Sequence, residues 1–229
     1  MPAYDDDKLE RPISIRADSV ALEGTLGVPA HAQGLVLFAH GSGSSRFSPR
    51  NRFVARVLRD AGLGTLLIDL LSPNEEEADE VTRHHRFDIP MLADRLTIAI
   101  EWLGQEHGTA DLPIGLFGAS TGGGAALVAA AGRPDRVAAV VSRGGRPDLA
   151  GASLPLVEAP TLLIVGGRDE AVISLNERAR SAMRAEVQLE IVPGATHLFE
   201  ERGALERVAL LARDWFLLHL RQVAPRLRF

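Results

Sequence analysis

Three polar side chains of this sequence are of the types that together perform nucleophilic catalysis. Ser120 is the central residue of the segment GASTG at positions 118–122, Asp169 ends the segment GGRD, and His197 ends the segment GATH. A serine hydroxyl is a poor nucleophile on its own, so it needs a base, and the base needs an acid to orient it. These residue types, in this order along the chain, predict acyl transfer through a serine.

Each of the three candidates follows a short apolar run that is typical of a strand buried on both faces of a sheet. Such runs occupy residues 35–39, 65–69, 114–117, 137–142, 161–165 and 187–192. Segments between them predict helices at 51–61, 89–106, 121–131, 172–183 and 204–220. The alternation predicts βαβ units, and residues 13–16 and 20–28 predict an antiparallel pair in front of them.

We therefore expect one α/β domain over residues 1–229, with a mostly parallel sheet of about eight strands and helices on both faces. Residues 1–11 are expected to form an N-terminal extension and residues 221–229 a tail. In such a sheet, ligands bind beyond the carboxyl ends of the strands. Because Ser120, Asp169 and His197 each follow a different strand, they are expected to meet at that edge as a catalytic triad.

The segment HGSGSS at positions 40–45 follows the first parallel strand and has two interpretations. Two glycines at the start of a helix are typical of a dinucleotide-binding loop, but Arg46 occupies the third glycine position of that motif. The second interpretation is an oxyanion loop, in which a backbone N–H points towards the serine. We favour the oxyanion loop, with the N–H groups of Thr121 and Ser42 as donors and Gly43 as the alternative to Ser42.

The composition excludes several other chemistries. The chain has no cysteine, and Lys8 and Tyr4 are its only lysine and tyrosine. Thiol nucleophiles, cysteine-bound metals, lysine Schiff bases and a tyrosine-dependent reductase are therefore not expected. Serine chemistry needs neither a metal nor an organic cofactor. A binding protein without turnover and a nucleotide-dependent oxidoreductase remain as alternatives.

The net charge of −5 disfavours a nucleic-acid partner, which would require a basic face. The longest apolar run covers residues 125–131, far short of the ~20 residues that span a bilayer. The first residues include three aspartates and no apolar segment typical of a signal peptide. We therefore expect a cytoplasmic protein that does not associate with membranes, either a monomer or a homodimer.

The sequence resembles the dienelactone hydrolase family of the α/β-hydrolase superfamily over about residues 13–220. The resemblance is carried by the segments HGSG at 40–43, GASTG at 118–122, GGRD at 166–169 and GATHLF at 194–199. The resemblance implies an α/β-hydrolase fold. Dienelactone hydrolases proper use a cysteine nucleophile, whereas this chain has Ser120, so it is more similar to the serine esterases of the family. Only residues 143–160 are available where related enzymes carry a cap domain, and Pro147, Pro155 and Pro160 limit helices there. We expect no cap domain, and small esters, lactones or thioesters as substrates.

Three arginines follow strand ends on the expected active-site edge: Arg46, Arg143 and Arg146. Arginine replaces lysine almost throughout this chain, which by itself explains their presence. The functional hypothesis is that Arg46 or Arg143 pairs with a carboxylate of the substrate.

The segment 74–87 is rich in carboxylates and ends near His84 and His85. It lacks the HExxH spacing of a metal-binding helix, so no metal site is expected there. We expect a solvated, charged loop. Since it follows a strand end, it can overhang the site.

Overall fold

The computed structural model describes residues 10–220, which form one eight-stranded sheet with helices on both faces. The strands are β1 (Glu10–Ala17), β2 (Val20–Gly27), β3 (Leu35–Ala39), β4 (Gly64–Ile68), β5 (Ile114–Ala119), β6 (Val137–Arg143), β7 (Thr161–Gly166) and β8 (Val187–Val192). The helices are α1 (Pro49–Asp60), α2 (Pro73–Thr82), α3 (Ile89–Leu103), α4 (Thr121–Gly132), α5 (Glu170–Ala182) and α6 (Ala204–His219).

The strand order across the sheet is β1-β2-β4-β3-β5-β6-β7-β8. β1 pairs with β2, and β2 with β4, in antiparallel fashion, and the remaining neighbours are parallel. The mostly parallel sheet and its antiparallel opening pair are therefore confirmed. The strands β3, β5, β7 and β8 all end at the same edge, which is where the candidate site is built.

Strand side chains alternate between two apolar cores. In β3, Leu35 and Leu37 pack into one core and Val36 and Phe38 into the other. Helices α3, α4 and α5 cover the first core, and α1 and α6 cover the second. Because both faces are covered, the central strands are apolar at nearly every position, as the sequence pattern indicated.

One expected boundary differs from the structure. β1 begins at Glu10, because its backbone pairs with Gly27 of β2, so residues 10 and 11 do not belong to an N-terminal extension. Residues 1–9, with Tyr4 and Lys8, and the expected tail 221–229 lie outside the described residues. None of the helices within residues 10–220 is long and apolar enough to span a membrane.

The expectation of a solvated loop over residues 74–87 is wrong, because α2 and a 3₁₀ turn (His85–Phe87) form there. The Ser72 N–H donates to the Glu75 carboxylate over 2.8 Å, and the Glu75 N–H donates to the Ser72 hydroxyl over 3.4 Å. This reciprocal capping box, with Pro73 at the first helical position, starts the helix. The segment SPNE was the signal for it in the sequence.

The connection between β6 and β7 contains only short 3₁₀ turns over Pro147–Leu156. Within the described residues, the expected absence of a cap domain is therefore confirmed. Helix α2, which follows β4 at the carboxyl edge of the sheet, lies across a cleft from the loop after β3.

Candidate active site

Ser120 occupies a strained turn between β5 and α4. Its backbone has φ 51° and ψ −121°, a conformation that costs a residue with a side chain of the order of 1–3 kcal/mol. Its N–H donates to Arg143 O over 3.3 Å, and its carbonyl accepts from the N–H of Arg146 over 3.0 Å. Main-chain bonds to the β6 loop thus hold the strained residue, which is the geometry expected of a nucleophile elbow.

The turn also depends on Gly122, which lies two residues after the serine. A Cβ at this position would lie 2.3 Å from Ala39 O and 2.5 Å from His40 O. Both oxygens belong to the backbone at the end of β3. Only glycine therefore allows α4 to approach the loop after β3 this closely.

Asp169 and His197 form a hydrogen-bonded pair, with 2.6 Å between Oδ2 and Nδ1. Asp169 lies at the N-cap position of α5, but its carboxylate makes no capping bond and turns to the imidazole instead. The loops that carry the two residues are joined by the Arg168 N–H, which donates to Ala195 O over 2.9 Å. With Nδ1 donating to the carboxylate, Nε2 is left as the basic nitrogen.

His197 lies against the loop after β6, to which Ser120 is also bonded. A Cβ on Gly144, whose φ is +50°, would lie 3.4 Å from His197 Nδ1, and Gly144 follows the residue that accepts the Ser120 N–H. Within residues 10–220, Ser120 Oγ makes no hydrogen bond to His197. Catalytic hydrogen bonds are often long before substrate binds. The structure thus brings the acid and base together and places the serine on the adjoining loop.

The expected oxyanion donors, Ser42 and Thr121, are in direct contact. The Ser42 N–H donates to Thr121 Oγ1 over 3.1 Å, and the two hydroxyl oxygens are also 3.1 Å apart. The Ser42 N–H is therefore occupied by a side chain in this structure. The N–H of Thr121, at the first position of α4, belongs to the helical turn that lacks an intrahelical partner.

His40 connects the oxyanion loop to the segment that follows β4. Its Nε2 accepts the Leu70 N–H over 2.9 Å, so its Nδ1 carries the proton and donates to Gly41 O over 3.0 Å. Burial lowers the pKa of the imidazole, which favours this neutral form. The sequence does not predict this role of His40, because the dipeptide HG does not reveal the contact with Leu70.

The network continues from Leu70 to α2. Arg95 donates to Leu70 O over 2.6 Å and forms a two-pronged ion pair with Glu75, with bonds of 2.6 and 2.9 Å. Burial by itself would raise the pKa of Glu75, but the bonds from Arg95 and Ser72 lower it to about 2. Helix α2 is thereby fixed to the oxyanion loop through side chains.

A cleft of about 540 Å³, including the open solvent at its mouth, lies between the oxyanion loop and α2. Residues 40–44 and Thr121 form one wall, and Leu70, Leu71 and Leu92 contribute an apolar surface. The opposite wall is charged and consists of Glu76, Asp79, Glu80 and Arg86. The expectation that segment 74–87 overhangs the site therefore agrees with the position of α2.

None of the three arginines Arg46, Arg143 and Arg146 lines this cleft. That Arg46 or Arg143 binds substrate therefore stays a prediction without support from its geometry. Arg46 forms an ion pair with Asp69, and Arg146 with Asp148. Arg143 is 8% exposed, and burial, with the neighbouring Arg50, lowers its pKa to about 10. It points to the core face that contains Phe199, because side chains alternate along β6.

Within residues 10–220, no three His, Asp or Glu side chains are grouped so that they could hold a metal ion. His84 and His85 contact each other edge to face on the surface, with ring centroids 5.8 Å apart. That serine chemistry here requires no cofactor stays a prediction.

The sheet order and the strand–serine–helix turn define the α/β-hydrolase fold. Residues 23–215 match the model of the dienelactone hydrolase family, and the chain belongs to this family. A dienelactone hydrolase from Anabaena variabilis ATCC 29413 is 60% identical, with a TM-score of 0.91 over 93% of this chain and 98% of that chain. Membership of the family supports hydrolase activity.

The chain is also similar to a structure of the same fold with low identity and to two longer proteins of high identity. Est1E from Butyrivibrio proteoclasticus shares the fold at 17% identity, with a TM-score of 0.75 over 91% of this chain and 98% of that chain. Two Mycobacterium tuberculosis proteins named "Putative phosphoribosyl transferase" are 57% identical over 218 residues, which is 95% of this chain and 48% of each relative. The chain thus spans about half the length of the curated relatives that it matches.

Proposed function

We propose that the protein is a serine hydrolase of small carboxylic esters, lactones or thioesters, with Ser120, His197 and Asp169 as its triad. The observation that carries the proposal is the strained backbone of Ser120, at φ 51° between β5 and α4, on the loop that adjoins a hydrogen-bonded Asp169–His197 pair. Strain of this kind persists only where the surrounding structure imposes it, and it clusters at active sites.

The reaction proceeds through an acyl-enzyme. His197 Nε2 takes the proton of the Ser120 hydroxyl as Oγ attacks the carbonyl carbon, and Asp169 holds the imidazole with Nδ1–H towards its carboxylate. The tetrahedral intermediate collapses as His197 gives this proton to the leaving alcohol or thiol. His197 then takes a proton from water as the water attacks the acyl-enzyme carbonyl, and it returns this proton to Ser120 Oγ as the acid is released.

The oxyanion is stabilised by the N–H groups of Thr121 and Ser42. Since the Ser42 N–H donates to Thr121 Oγ1 in the structure, it must turn to the oxyanion when substrate binds. A charged oxygen accepts a stronger hydrogen bond than a neutral hydroxyl, so the exchange is favourable. Gly43 is the alternative second donor. Each donor contributes about 3–4 kcal/mol to transition-state stabilisation in comparable sites.

The phosphoribosyl transferase name of the curated relatives does not alter this proposal. The chain covers 48% of those relatives, and residues 23–215 of it match the dienelactone hydrolase family. We infer that the transferase name refers to the half of the relatives that this chain does not match. Short substrates are favoured because, over the described residues, only short 3₁₀ turns and no cap domain lie between β6 and β7, and the cleft beside Thr121 is open to solvent.

Labelling with a fluorophosphonate and turnover of 4-nitrophenyl acetate test the proposal. Wild type should be labelled at Ser120 and should turn over the ester repeatedly, whereas Ser120→Ala should lose both while it keeps the wild-type Tm. Ser181→Ala is the matched control, because this serine is exposed on α5 and bonds only to Glu177 O. Labelling without repeated turnover would favour a binding protein, and an unlabelled wild type would refute a serine nucleophile.

A further inference from the structure

In the strand order of the sheet, the cleft beside the oxyanion loop and His197 lie on opposite sides of β5, the strand that leads to Ser120. The walls of the cleft come from the loops after β3 and β4, whereas His197 follows β8 and lies against the loop after β6. If the proposed function holds, on which this inference rests, His197 protonates the leaving alcohol, so that group lies on the histidine side. We therefore expect the acyl group of the substrate to extend past Gly41 and Thr121, which line the cleft, towards α2.

The α2 wall of the cleft consists of Glu76, Asp79 and Glu80 of α2 and of Arg86 in the 3₁₀ turn that follows. Its positive and negative charges do not balance. Glu76 and Glu80 face the cleft and form no ion pair with any described residue. The other two charges cancel, since the buried Asp79 binds Arg86 through Nε over 2.5 Å and through the Arg86 backbone N–H over 3.2 Å. The wall therefore carries an excess of two negative charges.

Arg86 supplies a hydrogen-bond donor rather than a free positive charge. Its Nε and Nη2 both bind Asp79, the latter at the backbone carbonyl over 3.0 Å, while Nη1 lies 4.0 Å from where a Cβ of Gly43 would be. An acyl group in the cleft thus meets an apolar surface at Leu70, Leu71 and Leu92 and two unpaired carboxylates. A carboxylate on the acyl group would be repelled, and a cation attracted.

We propose that Glu76 and Glu80 determine the substrate class by selecting acyl groups that are cationic or uncharged over acyl groups that carry a carboxylate. The selection is electrostatic and acts at the far end of the acyl chain. It does not involve the triad, because neither glutamate contacts Ser120, Asp169 or His197.

Three 4-nitrophenyl esters of matched acyl length test this: the monoester of glutaric acid, the ester of valeric acid, and the ester of 4-(trimethylammonio)butyric acid. All share one leaving group and the same three-methylene spacer, and they differ in the end group, which is anionic, neutral or cationic. We would measure kcat/KM for wild type, for the double variant Glu76→Gln/Glu80→Gln, and for Glu77→Gln. Glu77 is the matched control, since it is exposed on the same helix but does not line the cleft.

For wild type, we expect kcat/KM for the cationic ester to exceed that for the anionic ester by about tenfold, with the neutral ester between them. The double variant should reduce this ratio to about twofold, mainly through faster turnover of the anionic ester, and Glu77→Gln should keep it. About 0.5 M NaCl should also reduce the wild-type ratio, because salt screens partly exposed charges.

A wild type that prefers the glutarate ester, or a double variant with the wild-type ratio, would overturn the inference alone, because the neutral ester would still report hydrolysis. A wild type that neither hydrolyses any of the three esters nor reacts with the fluorophosphonate would overturn the proposed function and the inference together.

Discussion

Replacing Gly122 by alanine tests how closely α4 must approach the loop after β3. The added Cβ would lie 2.3 Å from Ala39 O and 2.5 Å from His40 O. Contacts between carbon and carbonyl oxygen become favourable only at about 3.3 Å. Since both oxygens belong to the backbone, neither can rotate away, and α4 and the end of β3 must separate by about 1 Å.

The expected cost has a thermodynamic and a catalytic part. Overpacking of this kind costs about 1–3 kcal/mol, and each kcal/mol lowers the Tm of a chain of this size by about 2–4 °C. The same displacement moves the oxyanion loop relative to Ser120. A misplacement of about 1 Å can reduce turnover by about 100-fold. We therefore expect Gly122→Ala to lower both the Tm and the kcat for 4-nitrophenyl acetate.

Gly132→Ala is the matched control in the same helix. A Cβ there would have no atom within 4 Å, and its backbone is helical, so alanine should leave the Tm unchanged or raise it slightly. Thermal unfolding by circular dichroism, with ester turnover measured on the same samples, compares the two variants. If Gly122→Ala matched Gly132→Ala in both measurements, the close approach would not be a constraint and our reasoning about the turn would be wrong.

Three further predictions follow from other contacts of the site. Asp169→Asn should lower kcat for 4-nitrophenyl acetate by about 10⁴-fold with little change in Tm, because the imidazole loses its orienting carboxylate; unchanged kcat would remove Asp169 from the triad. Burial lowers the pKa of His40 below 6.5, so below this pH the unfolded chain binds a proton that the folded chain excludes, and wild-type stability falls as pH decreases. In urea unfolding at about pH 5 and pH 7.5, His40→Phe should remove the part of the pH dependence of stability that is due to His40. At pH 7.5 it should lower the free energy of unfolding by about 1–3 kcal/mol, because the Leu70 N–H is left unpaired. An unaltered pH dependence would contradict a buried, neutral His40. Arg143→Met should leave the free energy of urea unfolding unchanged or raise it by about 1–4 kcal/mol, since it removes a buried charge without an ion-pair partner. It should also leave the ratio of kcat/KM for anionic and neutral esters unchanged. A changed ratio would show that Arg143 contacts the substrate.

The sheet could be predicted from the sequence because its signals are local. The run LVLFA at residues 35–39 is apolar at every position, and it forms β3 with all five side chains buried. The same logic located the candidate triad, since each member directly follows such a run. These predictions needed only the rule that parallel strands end at one edge.

The cleft could not be predicted in the same way, because its walls depend on contacts between distant residues. High charge density over residues 74–87 suggested a solvated loop, yet Asp79 is 1% exposed and neutralises Arg86. The position of Arg143 at a strand end suggested a substrate contact, but whether it faced the cleft or the core depended on the pleat of β6. A shift of one residue along β6 would move the Arg143 side chain from one face of the sheet to the other, and strand boundaries cannot be predicted from the sequence to within one residue.

The triad and the α2 wall are attached to the fold by different means, and this separation bears on how specificity can change. Ser120 and the Asp169–His197 loops are joined by main-chain bonds, Ser120 N–H to Arg143 O and Arg168 N–H to Ala195 O. These bonds do not depend on which side chains are present. Helix α2 instead reaches the oxyanion loop through three side chains and the peptide groups of Leu70: Arg95 binds both Glu75 and Leu70 O, and the Leu70 N–H binds His40. Glu76 and Glu80 contribute no side-chain hydrogen bond to that network, although the charge of Glu76 acts on His40. Substitutions at the two glutamates can therefore change which acyl group is accepted while the machinery that the main chain holds stays in place.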